Sequence, residues 1–266
     1  MNEFIINDWY GRLGNNIIQI RNAIHCCKEN GGGLVRLPAS DVFLSRLINI
    51  ENSETKDFRK LERRFYYLWN EGIERESRKI CRDYIYPLIK KRWGNKEFDL
   101  VFHIRGGDCF GTNPHSSYVQ CPLSYYKYII ELEKPKTIGI IYEDSTNPAV
   151  DFLKINYNVM DVKKDLISDI SYILNAKCLA ITGISSFSKM LSLCSHKISK
   201  VYVPLFKSNP RESFFNRDYF TEKYEIEFNK VVLEIQDYIS CAEWSYNEIQ
   251  KELFLNHNID CIKKLN

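Results

Sequence analysis

Several common signatures are missing from this sequence of 266 residues. It has no Gly-x-Gly-x-x-Gly spacing and no Gly-Lys-Ser/Thr phosphate loop, which argues against a dinucleotide-dependent oxidoreductase and against a nucleotide triphosphatase. No stretch approaches the roughly 18 apolar residues that are needed to cross a bilayer. The N-terminus lacks a basic segment followed by an apolar one, so neither a transmembrane segment nor a signal peptide is predicted.

The nine cysteines lack the spacing of a metal site. They form no Cys-x-x-Cys pair and no zinc-finger pattern with histidine, and no convincing Asp-x-Asp motif occurs, so we expect no metal and no other cofactor. An odd number of cysteines without a signal peptide favours reduced thiols and predicts a cytoplasmic location. The net charge is only +3, and the basic run from Lys90 to Arg92 is short. We therefore expect no nucleic-acid partner.

The composition is that of an ordinary globular protein, with 44% hydrophobic and 27% charged residues. Its length allows one large domain or two lobes of about 100 to 150 residues each. We predict two lobes, residues 1–95 and 96–206. Residues 207–266 are rich in Glu, Lys, Tyr and Asn, and we predict a helical C-terminal extension there.

The first lobe opens on a strand, a glycine loop and a helix. The predicted strand is Phe4 to Ile6, the loop contains Gly11 to Asn15, and isoleucines at near-helical spacing predict a helix that ends at about Glu29. Leu34 to Leu37 is expected to form the next strand. The charged and aromatic sequence between residues 58 and 93 predicts helices with exposed charged faces.

Strands and helices alternate more clearly in the second lobe. The predicted strands are Phe98–Ile104, Ile138–Tyr142, Asn158–Met160, Cys178–Thr182 and Lys200–Val203. Helices are predicted to start at Pro122 and Ala149 and to cover Leu166–Asn175 and Ser185–Cys194. Alternation at this spacing predicts an α/β fold with a largely parallel sheet that is covered on both faces.

The segment after the first strand of this lobe has the residues of a phosphate site. Ligands bind at the carboxyl ends of the strands in open parallel sheets. Gly106 and Gly107 let the backbone approach a ligand closely, and the planar guanidinium of Arg105 suits phosphate oxygens. We therefore predict a diphosphate site here. The alternative is a tight turn in which Arg105 merely pairs with Asp108.

Three other segments lie at predicted strand ends. Ser185 and Ser186 begin a helix whose N-terminus suits an anion, although a simple helix cap explains them as well. Asp144 offers a carboxylate to the N–H groups of a nucleobase, or it caps the start of a loop. Gly11 to Asn15 offers flexible backbone, a cation and an amide, or it is a plain turn. His103 either belongs to the core, orients the loop, or contacts a base through its backbone.

Together these segments resemble, in the same order, the motifs of the α-1,2/α-1,6/protein-O-fucosyltransferase superfamily. Gly11–Asn15 resembles its Gly-x-x-Gly-Asn signature, His103–Asp108 its His-x-Arg-Arg-Gly-Asp motif, and Ser185–Ser188 its Ser-Ser-Phe-Ser motif. Asp165–Ser168 is similar as well. The resemblance implies two Rossmann-like lobes that face a cleft, a GT-B-like architecture. It also implies an inverting, metal-independent transfer from GDP-fucose, so the expected partners are a nucleotide sugar and a glycan acceptor.

The resemblance also implies roles for individual residues. Arg105 holds the β-phosphate and stabilises the charge that develops on the departing nucleoside diphosphate. Ser185 and Ser186 contact the diphosphate, Asp144 contacts the base, and Asn15 lies where donor and acceptor meet. The predicted donor-binding set is completed by Gly11, Arg12, His103, Gly106, Gly107 and Phe187.

An inverting transfer also needs a base for the acceptor hydroxyl, and Asp108 and His115 are the nearest candidates. His115 lies where a related branch carries its catalytic glutamate, and Asp108 can instead brace Arg105.

Two departures from the motifs keep other functions open. Gly106 stands where the α-1,2 and α-1,6 members have a second arginine, although the protein-O-fucosylating branch also lacks it, and Lys189-Met190 replaces an aromatic pair. Another sugar, such as xylose or rhamnose on UDP or GDP, is therefore the first alternative. A catalytically inactive protein that binds a sugar nucleotide or a glycan is the second, and a regulatory module that binds a bare nucleotide or phosphate is the third.

Overall fold

The structure is a computed structural model that describes residues 2–51, 60–68, 71–92, 97–162, 165–183, 185–206 and 229–265. These residues form a mixed α/β fold, as predicted, with two sheets in which most neighbouring strands are parallel. They divide into two compact units. Unit 1 comprises Met1–Trp93 and Ser186–His196, and unit 2 comprises Gly94–Ser185 and Lys197–Asn266. The boundary predicted near residue 95 lies among residues 93–96, outside the described residues.

The elements follow one another along the described residues as strands and helices. The strands are β1 (Glu3–Ile6), β2 (Gly33–Arg36), β3 (Leu47–Ile50), β4 (Lys60–Arg63), β5 (Leu100–Ile104), β6 (Ile138–Tyr142), β7 (Val159–Asp161), β8 (Cys178–Ile181), β9 (Lys200–Phe206), β10 (Asn229–Ile235) and β11 (Ile262–Lys264). The α-helices are α1 (Leu13–Glu29), α2 (Glu71–Ile80), α3 (Leu123–Glu133), α4 (Pro148–Asn156), α5 (Leu166–Leu174), α6 (Ser186–Cys194) and α7 (Glu248–Asn256). A π-helix at Cys81–Ile85 follows α2, and 3-10 helices lie at Tyr86–Leu88, Gly107–Cys109 and Ile259–Cys261.

The sheet of unit 1 has the strand order β3-β2-β1-β4. β1 runs parallel to β2 and β4, whereas β3 runs antiparallel to β2. Phe4 and Ile6 of β1 are buried and alternate with half-buried residues, which is the pattern of a strand. α1 then buries Ile17, Ile20 and Ile24, so the predicted strand, loop and helix of this region are confirmed.

The sheet of unit 2 has the order β11-β10-β9-β8-β5-β6-β7, and all neighbouring strands except β10 and β11 are parallel. The chain moves outward from β5 to β7 and then returns to the other side of β5 at β8. Without β11, this is the 3-2-1-4-5-6 order of a doubly wound sheet. The order of such a sheet reverses between its first and fourth strands, so the switch point lies between β5 and β8.

The core of unit 2 continues into the C-terminal segment. Phe102 and Ile104 of β5 belong to one buried cluster with Tyr125 of α3, Phe254 of α7 and Trp244, which lies in the loop before α7. The runs that predicted β5, β6 and β8 are almost wholly buried, as expected for parallel strands that are covered on both faces. The nine cysteines all lie in the described residues as free thiols, and seven of them are buried.

Two predictions about helices are wrong. The helices expected between residues 58 and 93 begin only at Glu71, because Lys60–Arg63 forms β4. The extension predicted to be helical over residues 207–266 contains β10 and β11, and α7 is the one α-helix of its described part. Val231, Leu233 and Ile235 alternate as buried residues along β10, and this period-two pattern outweighs the polar composition of the segment. Residues 207–228 lie outside the described residues.

Candidate functional site

The predicted phosphate segment follows β5, and the Thr182–Gly183 turn follows β8, so both lie at the switch point of the unit 2 sheet. Thr182 links the two strand ends, because its Oγ1 donates a hydrogen bond of 2.5 Å to the carbonyl oxygen of His103. Ligands of doubly wound sheets bind outside the carboxyl ends of the strands at this point. The topology thus gives the segment the position of a ligand site.

Arg105 is oriented on three sides. Its Nη2 and Nε donate to the two carboxylate oxygens of Asp108 at 2.7 and 3.3 Å, and its Cζ lies 3.9 Å from the ring centroid of Tyr118. The side chain of Asn147 donates to the Arg105 carbonyl oxygen at 2.9 Å. Burial alone lowers the pKa of Arg105, but the hydrogen bonds and charge of Asp108 outweigh burial and raise it. The guanidinium is therefore a fixed cation that is 22% exposed.

The two glycines after Arg105 lie against the end of the neighbouring strand, β6. The backbone nitrogen of Gly107 donates to Oγ1 of Thr146 at 2.7 Å and to Oδ1 of Asp144 at 3.1 Å. Oδ1 of Asp144 also accepts hydrogen bonds from the backbone nitrogen and the hydroxyl of Thr146. Gly107 has a φ of +51°, which favours glycine. Asp144, which the resemblance assigns to the nucleobase, thus braces the glycine loop in this structure.

His103 is a half-buried residue of β5, two positions before Arg105. Burial and, second, the positive charge of Arg105 lower the pKa of His103 to about 4. The imidazole is therefore neutral at physiological pH and adds no positive charge to the site.

His115, the second candidate base after Asp108, is exposed. It lies near Arg105 because both side chains contact the ring of Tyr118. Its ring centroid is 4.8 Å from that of Tyr118, the ring on which Arg105 stacks. Its Nδ1 accepts a hydrogen bond of 3.2 Å from the backbone nitrogen of Ser117. The structure therefore brings both candidate bases, Asp108 and His115, to the surroundings of Arg105.

Three residues of this site were missed by reasoning from the sequence. Tyr118 and Thr146 lie in polar loops, where nothing in the sequence distinguishes them from other loop residues. Trp244 lies in the extension to which no chemistry is assigned, yet its indole nitrogen donates to the Cys109 carbonyl at 2.7 Å and its backbone nitrogen donates to the Ser116 carbonyl at 3.0 Å. It anchors the loops that carry Asp108 and His115. The one signal in the sequence is that Trp244 is the single tryptophan of the polar segment 207–266, since a tryptophan in such a segment is often a buried anchor with a hydrogen-bonded indole.

The remaining predicted residues lie mostly in unit 1, where the structure brings two of the three motifs together. Oγ of Ser186, the first residue of α6, donates to Oδ1 of Asn15 at 2.8 Å. A Cβ on Gly14 would lie 2.5 Å from the backbone nitrogen of Phe187, so only glycine lets α1 approach α6 this closely. Gly11 has a φ of +70° and lies against the Asn15 amide.

Arg12 and Ser185 complete the predicted residues. Arg12 is exposed in an extended conformation at the N-cap of α1, where its carbonyl accepts from the backbone nitrogen of Asn15. Ser185 is half-buried and is the last residue before the chain passes from unit 2 to unit 1. The predicted set is thus divided between the two units. The unit 2 members are His103, Arg105, Gly106, Gly107, Asp108, His115, Asp144 and Ser185, and the unit 1 members are Gly11, Arg12, Asn15, Ser186 and Phe187.

The searches for a metal site and for a membrane span cover only the described parts of the chain. There, no group of three or more His, Cys, Asp and Glu side chains is arranged to hold a metal ion. No helix in those ranges is long and apolar enough to cross a membrane. Comparison with protein-family models found no match to the chain, and comparison with curated proteins found none either.

Proposed function

We propose that this protein is an inverting, metal-independent glycosyltransferase that moves a sugar, fucose favoured, from a nucleotide-diphosphate donor to a glycan hydroxyl. The observation that carries the proposal is the fixed guanidinium of Arg105 beside two glycines, at the switch point of a doubly wound sheet. The inverting course, the preference for fucose and a GT-B-like pairing of lobes rest on the motif resemblance.

The chemistry requires a cation where negative charge appears. When the bond between the sugar C1 and the phosphate oxygen breaks, the electron pair goes to the nucleoside diphosphate. A preorganised arginine stabilises this charge without reorganising during the reaction. Arg105 meets that requirement because its guanidinium stacks on the Tyr118 ring, a contact that does not use the N–H groups that bond to Asp108.

The ion pair between Arg105 and Asp108 also suggests how the base is prepared. A bound diphosphate competes with Asp108 for the two N–H groups of Arg105, and the displaced carboxylate is then able to accept a proton. In the transfer, the acceptor oxygen bonds to C1, its proton moves to Asp108 or His115, and the diphosphate leaves. The proposal takes Asp108 as the first candidate because its carboxylate is already beside the cation.

Removing the guanidinium tests this assignment. We expect Arg105→Ala to weaken the binding of GDP or UDP by at least about tenfold, because a charge-assisted bidentate contact contributes on the order of 1.5–3 kcal/mol. Calorimetric titration with GDP, UDP, GDP-fucose and UDP-xylose measures the effect, and release of free nucleotide in the presence of glycan acceptors measures transfer. Arg36→Ala is the matched control, since Arg36 also pairs with a carboxylate, that of Glu3. Unchanged nucleotide affinity in Arg105→Ala refutes the proposal.

A second candidate is a protein that binds a nucleotide sugar without turnover. It is favoured by the hydrogen bonds that already occupy both candidate bases, Asp108 with Arg105 and His115 with the Ser117 backbone. The same experiments separate the two functions. Affinity for nucleotide sugars that depends on Arg105, without nucleotide release toward any acceptor, supports the binding protein and excludes the enzyme.

A further inference from the structure

Unit 1 carries a cluster of three tyrosines, one of which directly precedes the Gly11–Asn15 loop. The ring of Tyr10 lies 4.5 Å from that of Tyr66 and 5.6 Å from that of Tyr67, and the last two rings meet edge to face at 5.0 Å. Tyr67 is 73% exposed, whereas Tyr10 and Tyr66 are half-buried. The three rings contact one another and one of them is largely exposed, so together they form an aromatic surface patch. We call Tyr10, Tyr66 and Tyr67 the tyrosine platform.

Two buried amides of α1 hold the platform in place. Gln19, which is fully buried, accepts from the Tyr10 backbone nitrogen at 2.9 Å and donates to the Arg64 carbonyl at 2.8 Å. Asn22, also fully buried, donates to the carbonyls of Phe65 at 2.8 Å and Leu68 at 2.9 Å. Buried amide groups are expensive unless they are satisfied, and here they are satisfied by fixing the two segments that carry the tyrosines.

The backbone directly before Tyr66 is strained. Phe65 has a φ of +60°, which is rare for a bulky side chain, and its own ring is buried. This left-handed residue lies between Arg64 and Tyr66, at the turn that brings the following tyrosines against Tyr10. Strained residues persist where the surroundings hold them, and they concentrate at functional sites. Strain, buried amides and exposed rings therefore coincide in one small region.

An ion pair between Arg64 and Asp8 lies beside the platform. The Nε of Arg64 donates to both carboxylate oxygens of Asp8 at 3.0 Å, and the Cζ of Arg64 lies 5.8 Å from the Tyr10 ring. A hydrogen bond with Tyr10 raises the pKa of the Tyr67 hydroxyl. The surface thus offers ring faces, phenol hydroxyls and a neutralised ion pair. These groups match an uncharged saccharide, whose C–H faces stack on aromatic rings and whose hydroxyls bond to polar neighbours.

We propose that the tyrosine platform is a saccharide-binding subsite that holds the glycan acceptor. The identity of the glycan as an acceptor rests on the function proposed above, whereas saccharide binding itself does not. Tyr10 directly precedes Gly11, so the subsite is continuous along the chain with the Gly11–Asn15 loop that the resemblance assigns to the meeting of donor and acceptor.

The test is a titration of the full chain with maltotriose, cellotriose, lactose, N-acetyllactosamine and chitotriose, followed by ligand-observed NMR. At least one of these saccharides is expected to bind. Tyr67→Ala and Tyr10→Ala should each weaken that binding about tenfold, because each variant loses one ring that the saccharide stacks on and part of the area that the contact buries. Tyr67→Phe, which keeps the ring, should retain most of the affinity. Ile249→Ala removes an equally exposed apolar side chain of unit 2 and should leave the affinity unchanged.

GDP affinity, measured on the same variants, separates this inference from the function proposed for Arg105. It should be unchanged in Tyr67→Ala, Tyr10→Ala and Tyr67→Phe. Loss of GDP binding in Tyr67→Ala overturns the subsite, because the platform then stacks a nucleobase. Absence of binding by all five saccharides overturns it too, as does affinity that survives Tyr67→Ala. A third outcome is that saccharides bind in a manner that depends on Tyr67 but no nucleotide binds. This result would support the saccharide-binding subsite and refute the proposed glycosyltransferase function.

Discussion

Gly106 lies so close to the side chains of Asp144 and Thr146 that a Cβ at this position would force them to shift. A Cβ at this position would lie 2.9 Å from Oγ1 of Thr146 and closer still to Oδ1 of Asp144. These are the groups that accept the Gly107 backbone hydrogen bond. The arginine that the motifs resembled by this segment carry here would therefore displace the brace that Asp144 provides. The departure at Gly106 and the conformation of Asp144 belong to one local arrangement.

Gly106→Ala should destabilise the protein by about 2 kcal/mol, because the new methyl group forces the brace to shift. Nucleotide affinity should fall with it. The free energy of unfolding, from urea titration, measures the first effect. Gly111→Ala is the control, since a Cβ at Gly111 meets no atom within 4 Å. Equal stability of the two variants would show that the loop tolerates a side chain at Gly106.

His103 makes the stability depend on pH. Its pKa is lowered from the ordinary 6.5 to about 4 in the folded chain, so the unfolded state binds more protons between these values. The titration of His103 therefore leaves the free energy of unfolding almost unchanged above pH 6.5 and lowers it progressively as the pH drops toward 4. Between pH 7 and pH 5 this contribution amounts to about 2 kcal/mol. Urea titrations at both pH values measure the decrease in the free energy of unfolding from pH 7 to pH 5. This decrease should be larger by about 2 kcal/mol in the wild type than in His103→Gln. Equal decreases in the two proteins would contradict the prediction.

At the scale of elements, Gly14 fixes how α1 meets α6 within unit 1. The Cβ of any other residue would lie 2.5 Å from the backbone nitrogen of Phe187, and the backbone of a helix cannot move aside as a flexible side chain does. The hydrogen bond from Ser186 to Asn15 depends on the same approach. The Gly-x-x-Gly-Asn segment therefore has a packing role that its glycines alone do not reveal in the sequence.

Gly14→Ala should separate these helices and cost about 2–3 kcal/mol of stability. The new methyl group would clash with backbone atoms of Ser186 and Phe187, which cannot rotate away as a side chain can. The amides of α6 should then exchange hydrogen faster than in the wild type, as followed by mass spectrometry, while those of α3 in unit 2 keep their protection. Ser186→Ala, which removes only the hydrogen bond to Asn15, should cost about 1 kcal/mol. Unchanged exchange of α6 in Gly14→Ala would contradict the packing role.

The elements that the sequence predicts well are those whose environment is uniform. β6 is predicted with its observed bounds because all five of its residues are buried, which leaves a continuous apolar run. β4 is missed because three of its four residues, Lys60, Glu62 and Arg63, are exposed and charged. β10 is missed although Val231, Leu233 and Ile235 alternate, because the polar residues around them dominate the composition.

The candidate site divides in the same way. Arg105 and its glycines are recognisable in the sequence because a strand, a cation and two glycines are contiguous there. Trp244 is 135 residues from the Cys109 carbonyl that it binds, and no local pattern encodes such a contact. The tyrosine platform depends similarly on Asn22, which reaches a turn more than forty positions away. Side chains that hold a site from distant segments become visible only in the fold.

At the scale of the whole molecule, the chain leaves and re-enters unit 2 around a single helix. Ser186–His196 belongs to unit 1, although β8 and β9, which flank it, are neighbours in the sheet of unit 2. In an ordinary doubly wound sheet the helix after β8 covers that same sheet. Here it packs with α1, so the two units are not consecutive stretches of sequence.

Because α6 belongs to unit 1 but follows β8 of unit 2 in the sequence, unit 1 is complete only after β5 to β8 have been translated. A domain normally folds as soon as its own stretch of chain leaves the ribosome. Unit 1 has its sheet and α1 from residues up to Trp93, yet the helix that packs against Gly14 is translated only after β5 to β8. Until then, the part of α1 around Gly14 and Asn15 lacks its native partner. Unit 1 of a nascent chain therefore completes its packing only after most of the unit 2 sheet has been translated.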